Sequence, residues 1–146
     1  MNETGLYMKK INVALERGRN RALKKYALTA PQMDTLIYLA SHETRDNTLS
    51  GLADFFGVKH TSVIHVLKLL GQKELIYREE PAEGEKRKPI FLTEKGRAIV
   101  KDEKKGMEWV EGVMFDGITQ EERQMLDDCL RRIYGNIVRG ILTKEE

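Results

Sequence analysis

The sequence predicts a mainly α-helical chain with one small β-hairpin, and three observations predict it. Apolar residues recur at helical spacing through most of the chain. Two capping boxes, Thr29-Ala30-Pro31-Gln32 and Thr119-Gln120-Glu121-Glu122, mark helix starts, because threonine oxygen and Gln/Glu side chain both satisfy free backbone donors. Between them the helical period breaks once. Leu75-Ile76-Tyr77 and Pro89-Ile90-Phe91-Leu92 flank a polar loop containing Gly84, which is the pattern of a hairpin.

The first helix runs from Leu6 to Tyr26. Ile11, Leu15, Ala22 and Tyr26 fall near one face, and Arg17, Arg19, Arg21 and Lys24 lie largely around the others. Such a helix packs on its own core or on a second chain. The second helix begins at Thr29, with Pro31 in the first turn where no intrahelical donor is lost. Met33, Leu36, Ile37, Leu39 and Ala40 form its apolar side, and it stops near His42. Thr44 to Asn47 is a polar connection, and Thr48 is the N-cap of the next helix.

Leu49 to Gly71 then reads as two short helices joined by a tight turn. Leu52, Ala53 and Phe56 make the apolar face of the first, and Gly57 suits a left-handed helix end. Val58 is expected to tuck the turn against the core. Val63, Val66, Leu67 and Leu70 give the buried stripe of the second. A small residue at the crossing, a glycine turn and spaced aliphatics together spell a helix-turn-helix. The outer face of its second helix carries His60, Thr61, Ile64, His65 and Lys68, a mixture suited to a DNA major groove. The hairpin that follows is a wing, and its loop tip ends in Lys86-Arg87-Lys88, where cations can reach phosphates or the minor groove.

Thr93 caps a further helix from Glu94 to about Phe115, with Ile99, Val100, Met107, Val110 and Met114 expected to be buried and Gly117 ending it. The last helix carries Leu126, Cys129, Leu130, Ile133, Tyr134, Ile137, Val138, Ile141 and Leu142, more apolar surface than one core-facing stripe needs. It is expected to pack on its own chain and to pair with a partner chain. Met33, Met107, Met114 and Met125 are read as core, and Cys129 as an inert core or interface thiol.

Composition bounds the function. The 146 residues are one domain's worth of chain, 40% hydrophobic and 33% charged, with no apolar run near the ~20 residues of a membrane span. The N-terminus lacks a hydrophobic signal core, and the single cysteine fits a reducing compartment, so a cytoplasmic protein is expected. A net charge of +2 means that any DNA-binding charge must be local. No Ser/His/Asp, Cys/His or paired-carboxylate constellation and no phosphate-cradling Gly-rich loop is visible, which argues against an enzyme. His60 and His65 are five apart, poor spacing for two ligands on one helical face, so neither metal nor cofactor is expected.

From about Leu28 to Val100 the chain resembles the MarR family of winged helix-turn-helix transcriptional regulators. The residues that carry the likeness are Leu28-Thr29, Gln32, Leu36 and Leu39, then Leu52-Ala53, Gly57-Val58, Ser62-Val63, Leu67 and Leu70. Leu75-Ile76, Arg78 and the run Leu92-Thr93-Glu94-Lys95-Gly96-Arg97 complete it. The resemblance implies one MarR-type domain over 1–146. Residues 6–27 and 118–142 would be dimerisation helices of an intertwined homodimer. Residues 29–100 would be the winged helix-turn-helix, with its helix-turn-helix at 49–71 and its wing at 75–92. It implies that His60, Thr61, Ser62, Ile64 and His65 touch base edges or nearby phosphates, that Lys59, Lys68 and Lys73 contact the backbone, and that Arg87 enters the minor groove between Lys86 and Lys88. The partner would be a near-palindromic DNA duplex. Many members are repressors released by a small amphipathic or phenolic effector, which this sequence does not identify.

The chain departs from the family in three places. Glu85-Lys86-Arg87 stands where the family has Asp-x-Arg and keeps the charges of an intra-wing salt bridge. Glu74 replaces a glycine, so the recognition helix is expected to end differently. Lys59 replaces a Ser/Thr cap, and a cation there opposes the helix dipole unless a phosphate is near. The competing reading is a winged-helix protein-interaction module that has lost DNA binding; the cations Lys68, Lys86, Arg87 and Lys88 speak against it.

Overall fold

A computed structural model describes residues 2–145. In chain order the elements are α1 (Glu3–Leu23), a 3-10 turn (Lys24–Tyr26), α2 (Ala30–Ser41), α3 (Leu49–Phe56) and α4 (His60–Gln72). Then come β1 (Ile76–Arg78), β2 (Ile90–Leu92), α5 (Glu94–Met114), α6 (Gln120–Gly140) and a short 3-10 segment (Leu142–Glu145). The chain divides into two compact units, Met1–Glu103 and Lys104–Glu146. Among the described residues no helix is long and apolar enough to cross a membrane.

The first unit holds the core. Leu23, Met33, Leu36, Leu39, Leu52, Leu70, Leu75, Ile90 and Leu92 are buried almost completely, so side chains from α1, α2, α3, α4 and both strands share one interior. Each such side chain stabilises the fold by roughly 2 kcal/mol relative to exposure. The capping box at Thr29 forms in both directions, with 3.1 Å from the Thr29 amide to Gln32 Oε1 and 3.4 Å from the Gln32 amide to Thr29 Oγ1. Thr48 caps α3 through the Gly51 amide at 3.2 Å. The two strands pair antiparallel with Ile76 opposite Leu92, Tyr77 opposite Phe91 and Arg78 opposite Ile90. The Ile90 amide donates to the Asn47 carbonyl at 2.9 Å, which ties the connection before α3 to the hairpin.

Three helix ends in this unit use one device. After α3, Gly57 is left-handed (φ 63°), its amide donates to the Asp54 carbonyl and the Val58 amide to the Ala53 carbonyl. Ala27 (φ 53°) and Glu74 (φ 58°) repeat that turn after the first 3-10 segment and after α4. The expectation that α4 ends differently without its glycine is therefore corrected. Glu74 adopts the left-handed conformation that the glycine would have, because Leu75 must turn back onto Leu70, both of them buried. Val58 is also corrected. Its amide closes the turn, but its side chain is exposed, since the core beneath is already filled by Ala53, Val63 and Leu67.

The run Leu92 to Arg97 locks the hairpin to α5, and nearly every residue in it has a visible task. Leu92 is buried in the core. The Thr93 amide donates to the Leu75 carbonyl at 3.1 Å, and its hydroxyl donates to the Glu74 carbonyl at 2.7 Å while accepting from the Gly96 amide at 3.0 Å. Lys95 donates to the Lys73 carbonyl at 3.2 Å, and Arg97 pairs with Glu43 at 2.8 Å. Gly96 has no room for a side chain, because a Cβ would lie 2.2 Å from the Leu75 carbonyl oxygen.

The second unit contains the end of α5 and α6. Its capping box at Thr119 forms with Glu122 in both directions. Glu111 pairs with Arg123, whose guanidinium lies 4.1 Å from the centre of the Phe115 ring. Met107, Val110, Met114 and Met125, expected to be buried, are exposed in the single chain, and α6 buries no residue. Cys129, read as a core or interface thiol, is exposed and so lies outside the core. Helical periodicity located the apolar face correctly but said nothing about what covers it. Ile99 and Val100, in the first unit, are half-buried against the core as expected.

Two substitutions test this account by urea unfolding. Gly96→Ala should destabilise the fold by roughly 1–3 kcal/mol, since backbone must shift to admit the methyl group. Glu74→Gly should stabilise it by about 0.5–1 kcal/mol, the left-handed strain relieved less the extra chain entropy of glycine.

Candidate nucleic-acid interface

The buried stripe of α4, Val63, Leu67 and Leu70 with Val66 half-covered, fixes which face remains outside. His60, Thr61, Ser62, Ile64, His65 and Lys68 are all exposed there. Ile64 is 51% exposed, an apolar group held in the open beside hydrogen-bonding side chains. No carboxylate occurs between Asp54 and Glu74, while Lys59, Lys68 and Lys73 lie within that stretch. The local charge is thus strongly positive although the chain's total is +2.

The start of α4 has an unusual cap. Lys59 is extended (φ −71°, ψ 149°) and makes no side-chain bond to the helix. The Ser62 amide donates to the Lys59 carbonyl at 3.1 Å, but the Lys59 side chain does not cap the His60 and Thr61 amides, where the helix dipole and the Lys59 ammonium both favour an anion. Lys73 is placed differently from the others. It is half-buried at the C-terminal end of α4, and its ammonium donates to the Ala27 carbonyl. Its first task is to tie that end of α4 to the turn after α1.

In the wing, Lys86, Arg87 and Lys88 are exposed, as expected from their place in the loop. Their partners are not the expected ones. The Glu85 carboxylate does not pair with Arg87. It receives Arg45 Nε at 3.1 and 3.2 Å, an Arg45 terminal nitrogen at 2.9 Å and the Ala82 amide at 2.7 Å. Arg45 also pairs with Glu79, donates to the Glu80 carbonyl at 3.3 Å and sits 5.9 Å from the centre of the Phe91 ring. Lys88 pairs with Glu80 at 3.0 Å. Lys86 and Arg87 form no ion pair with a described residue. The intra-wing bridge is thus replaced by one that crosses to the connection before α3, because the longer glutamate arm meets a guanidinium with several donors.

Arg45 was not singled out from the sequence. It lies 40 residues from Glu85, and a long-range ion pair leaves no periodic trace. The signal that was there is compositional. Residues 79–88 hold four glutamates against three cations, an acidic loop where a basic tip is expected. The Arg45 guanidinium, then the Ala82 amide, hold the Glu85 carboxyl below the usual carboxylate range, and Glu85 and Glu79 hold Arg45 protonated above its usual value.

No family model matches the chain. Solved structures do resemble it. MepR of Staphylococcus aureus, described as a transcription regulator of the multidrug efflux pump MepA, superposes with a TM-score of 0.78 at 23% identity, covering 94% of this chain and 99% of that one. A MepR–DNA complex from S. aureus gives 0.76 at 24% identity over 93% of this chain and 96% of that one. The transcriptional regulator SlyA gives 0.74 at 25% identity, covering 94% and 96% respectively.

Glu85 also sets a pH dependence. Its folded pKa is depressed, so its contribution is present above the unfolded value of ~4.3 and is lost as pH falls through the folded one. Hydrogen exchange of the Ala82 amide should stay protected, relative to an unstructured peptide, from neutral pH to about pH 5 and lose protection only below the unfolded value. Loss of protection near pH 6 would show that another group holds the loop.

Proposed function

Starting from a chain that has the winged helix-turn-helix fold of MarR-type regulators, we propose that it is a homodimeric, sequence-specific transcriptional regulator of double-stranded DNA. The outer face of α4 carries this reading. It offers donors and acceptors at His60, Thr61, Ser62 and His65, an apolar group at Ile64 and a cation at Lys68, with no acid in the helix to repel phosphate. Lys59 with the open first turn, and Lys86, Arg87 and Lys88 in the wing, supply backbone and groove contacts, and Lys73 adds to the field from the far end of the helix. Among the solved relatives of this fold, MepR has been captured with DNA.

The homodimer follows from surface that one chain leaves open. Ile11 and Leu15 in α1, and Tyr134, Ile137 and Ile141 in and just after α6, are exposed on helices with apolar faces. Water-exposed area of that kind is normally covered by a partner. Two reading heads on one dimer require a near-palindromic operator with half-sites about one helical turn, roughly 34 Å, apart. Repression is the mode proposed. A small amphipathic or phenolic effector would release DNA only by binding the two arrangements of the dimer unequally. The chain works in the cytoplasm, has no catalytic role and needs no cofactor.

Selection from a random duplex pool by the purified protein should enrich a near-palindrome. Retention of DNA only at low salt, with no enriched sequence, would overturn the reading. Arg87→Ala should weaken binding to the selected duplex and reduce the slope of log K against log salt by about 0.9, one released counterion. An unchanged slope would remove Arg87 from the interface.

A further inference from the structure

The wing is poorly made to approach DNA by its own charge. Within residues 79–88, Glu79, Glu80, Glu83 and Glu85 outnumber Lys86, Arg87 and Lys88. A free loop of this composition would carry its carboxylates toward phosphates as readily as its cations. In the structure three of the four acids are drawn off, and Glu83 stays exposed without an ion pair to a described residue. Arg45 takes Glu79 and Glu85, and Lys88 takes Glu80. The wing cations without an ionic partner among the described residues are Arg78, which donates to the Lys88 carbonyl at 3.3 Å, and Lys86 and Arg87 at the tip.

Arg45 is well placed to do this. It lies in the connection between α2 and α3, two residues before Asn47, whose carbonyl accepts from Ile90 of β2 at 2.9 Å. Thr48, next in sequence, caps α3. The anchor is therefore continuous with the helix-turn-helix on one side and with the wing strand on the other. From it, guanidinium bonds reach both ends of the loop, Glu79 just after β1 and Glu85 beside the basic tip. A planar guanidinium holding two carboxylates and the Glu80 carbonyl fixes direction as well as distance.

We infer that Arg45 is the positioning residue of the wing: it holds the loop so that Lys86 and Arg87 face the duplex while Glu79 and Glu85 are turned into ion pairs, and does not itself contact DNA. This inference rests on the DNA-binding reading above. It makes an unusual demand, because it says that a carboxylate beside the DNA helps binding. By charge alone, Glu85→Gln should tighten binding. If Arg45 and Glu85 act as a pin, Glu85→Gln weakens it.

The test uses the full chain and the duplex selected by the wild-type protein. Glu85→Gln should weaken binding roughly five-fold and Arg45→Ala roughly ten-fold, with Arg45→Lys between wild type and alanine. In an Arg87→Ala background the Arg45→Ala effect should be clearly smaller than in wild type, since one of the two groups it positions has gone. Trypsin provides a readout without DNA: cleavage after Lys86 and Arg87 should be faster in Arg45→Ala, whose substitution is remote in sequence from those bonds. Glu85→Gln that binds as tightly as wild type or tighter overturns the inference. So does an Arg45→Ala effect that adds fully to Arg87→Ala, which would make Arg45 an independent phosphate contact. An unchanged cleavage rate overturns it too. Arg45→Lys and Glu85→Gln are surface replacements of like size and serve if Arg45→Ala fails to fold. Wild-type protein that selects no duplex would instead defeat the functional reading, and the positioning role with it.

Discussion

The carbonyl of Leu75 is where the reading head is joined. It accepts the Thr93 amide, it lies against the Cα of Gly96, and its own residue has just turned back from α4 through Glu74. One peptide unit thus sets the end of α4, the base of the wing and the start of α5 relative to each other. Any displacement there would move the exposed face of α4 and the wing cations independently, and a groove-reading surface needs them in register. The close approach explains why a glycine stands at 96. The need for a turn at 74 explains why a glutamate tolerates a backbone conformation that side chains disfavour.

Around this junction the chain separates burial from recognition by helical phase. Positions 63, 67 and 70 of α4 are in the core, and positions 60, 61, 64, 65 and 68 are in solvent. The two sets cannot be exchanged without rotating the helix, so the core and the exposed face proposed to read DNA are specified by different residues of the same element. The same separation recurs in α6, where the apolar face has no covering within the described chain. There the phase leaves Tyr134 and Ile137 exposed, the surface that the proposed dimer would cover.

Electrostatics divides the labour in a second way. Helix α4 is positive because its sequence contains no acid, a property independent of conformation. The wing leaves Lys86 and Arg87 without an ion pair to a described residue at its tip while three of its four acids are engaged, two by Arg45 and one by Lys88. Surface ion pairs contribute little stability individually. Their consequence here is geometric: a guanidinium bound to two carboxylates from different parts of one loop restricts how that loop can lie.

Local physics was enough to read the helices, the capping boxes at Thr29 and Thr119, the hairpin register region and the outer face of α4, because each depends on neighbours within a few residues. The Leu92–Arg97 run was visible as a motif, but its cause was not, since Leu75 meets Gly96 only in the folded chain. Val58, Met107, Val110, Met114 and Met125 were misread as buried because periodicity identifies an apolar face without identifying what lies opposite. The partner of Glu85 was misassigned to its near neighbour Arg87. Sequence proximity favoured that pair, whereas tertiary folding delivers Arg45 with more donors. Sequence alone therefore determined which polar and charged groups the outer face of α4 and the wing carry, and tertiary structure decided which of them remain unpaired, because pairing between distant charges is settled only when the chain closes.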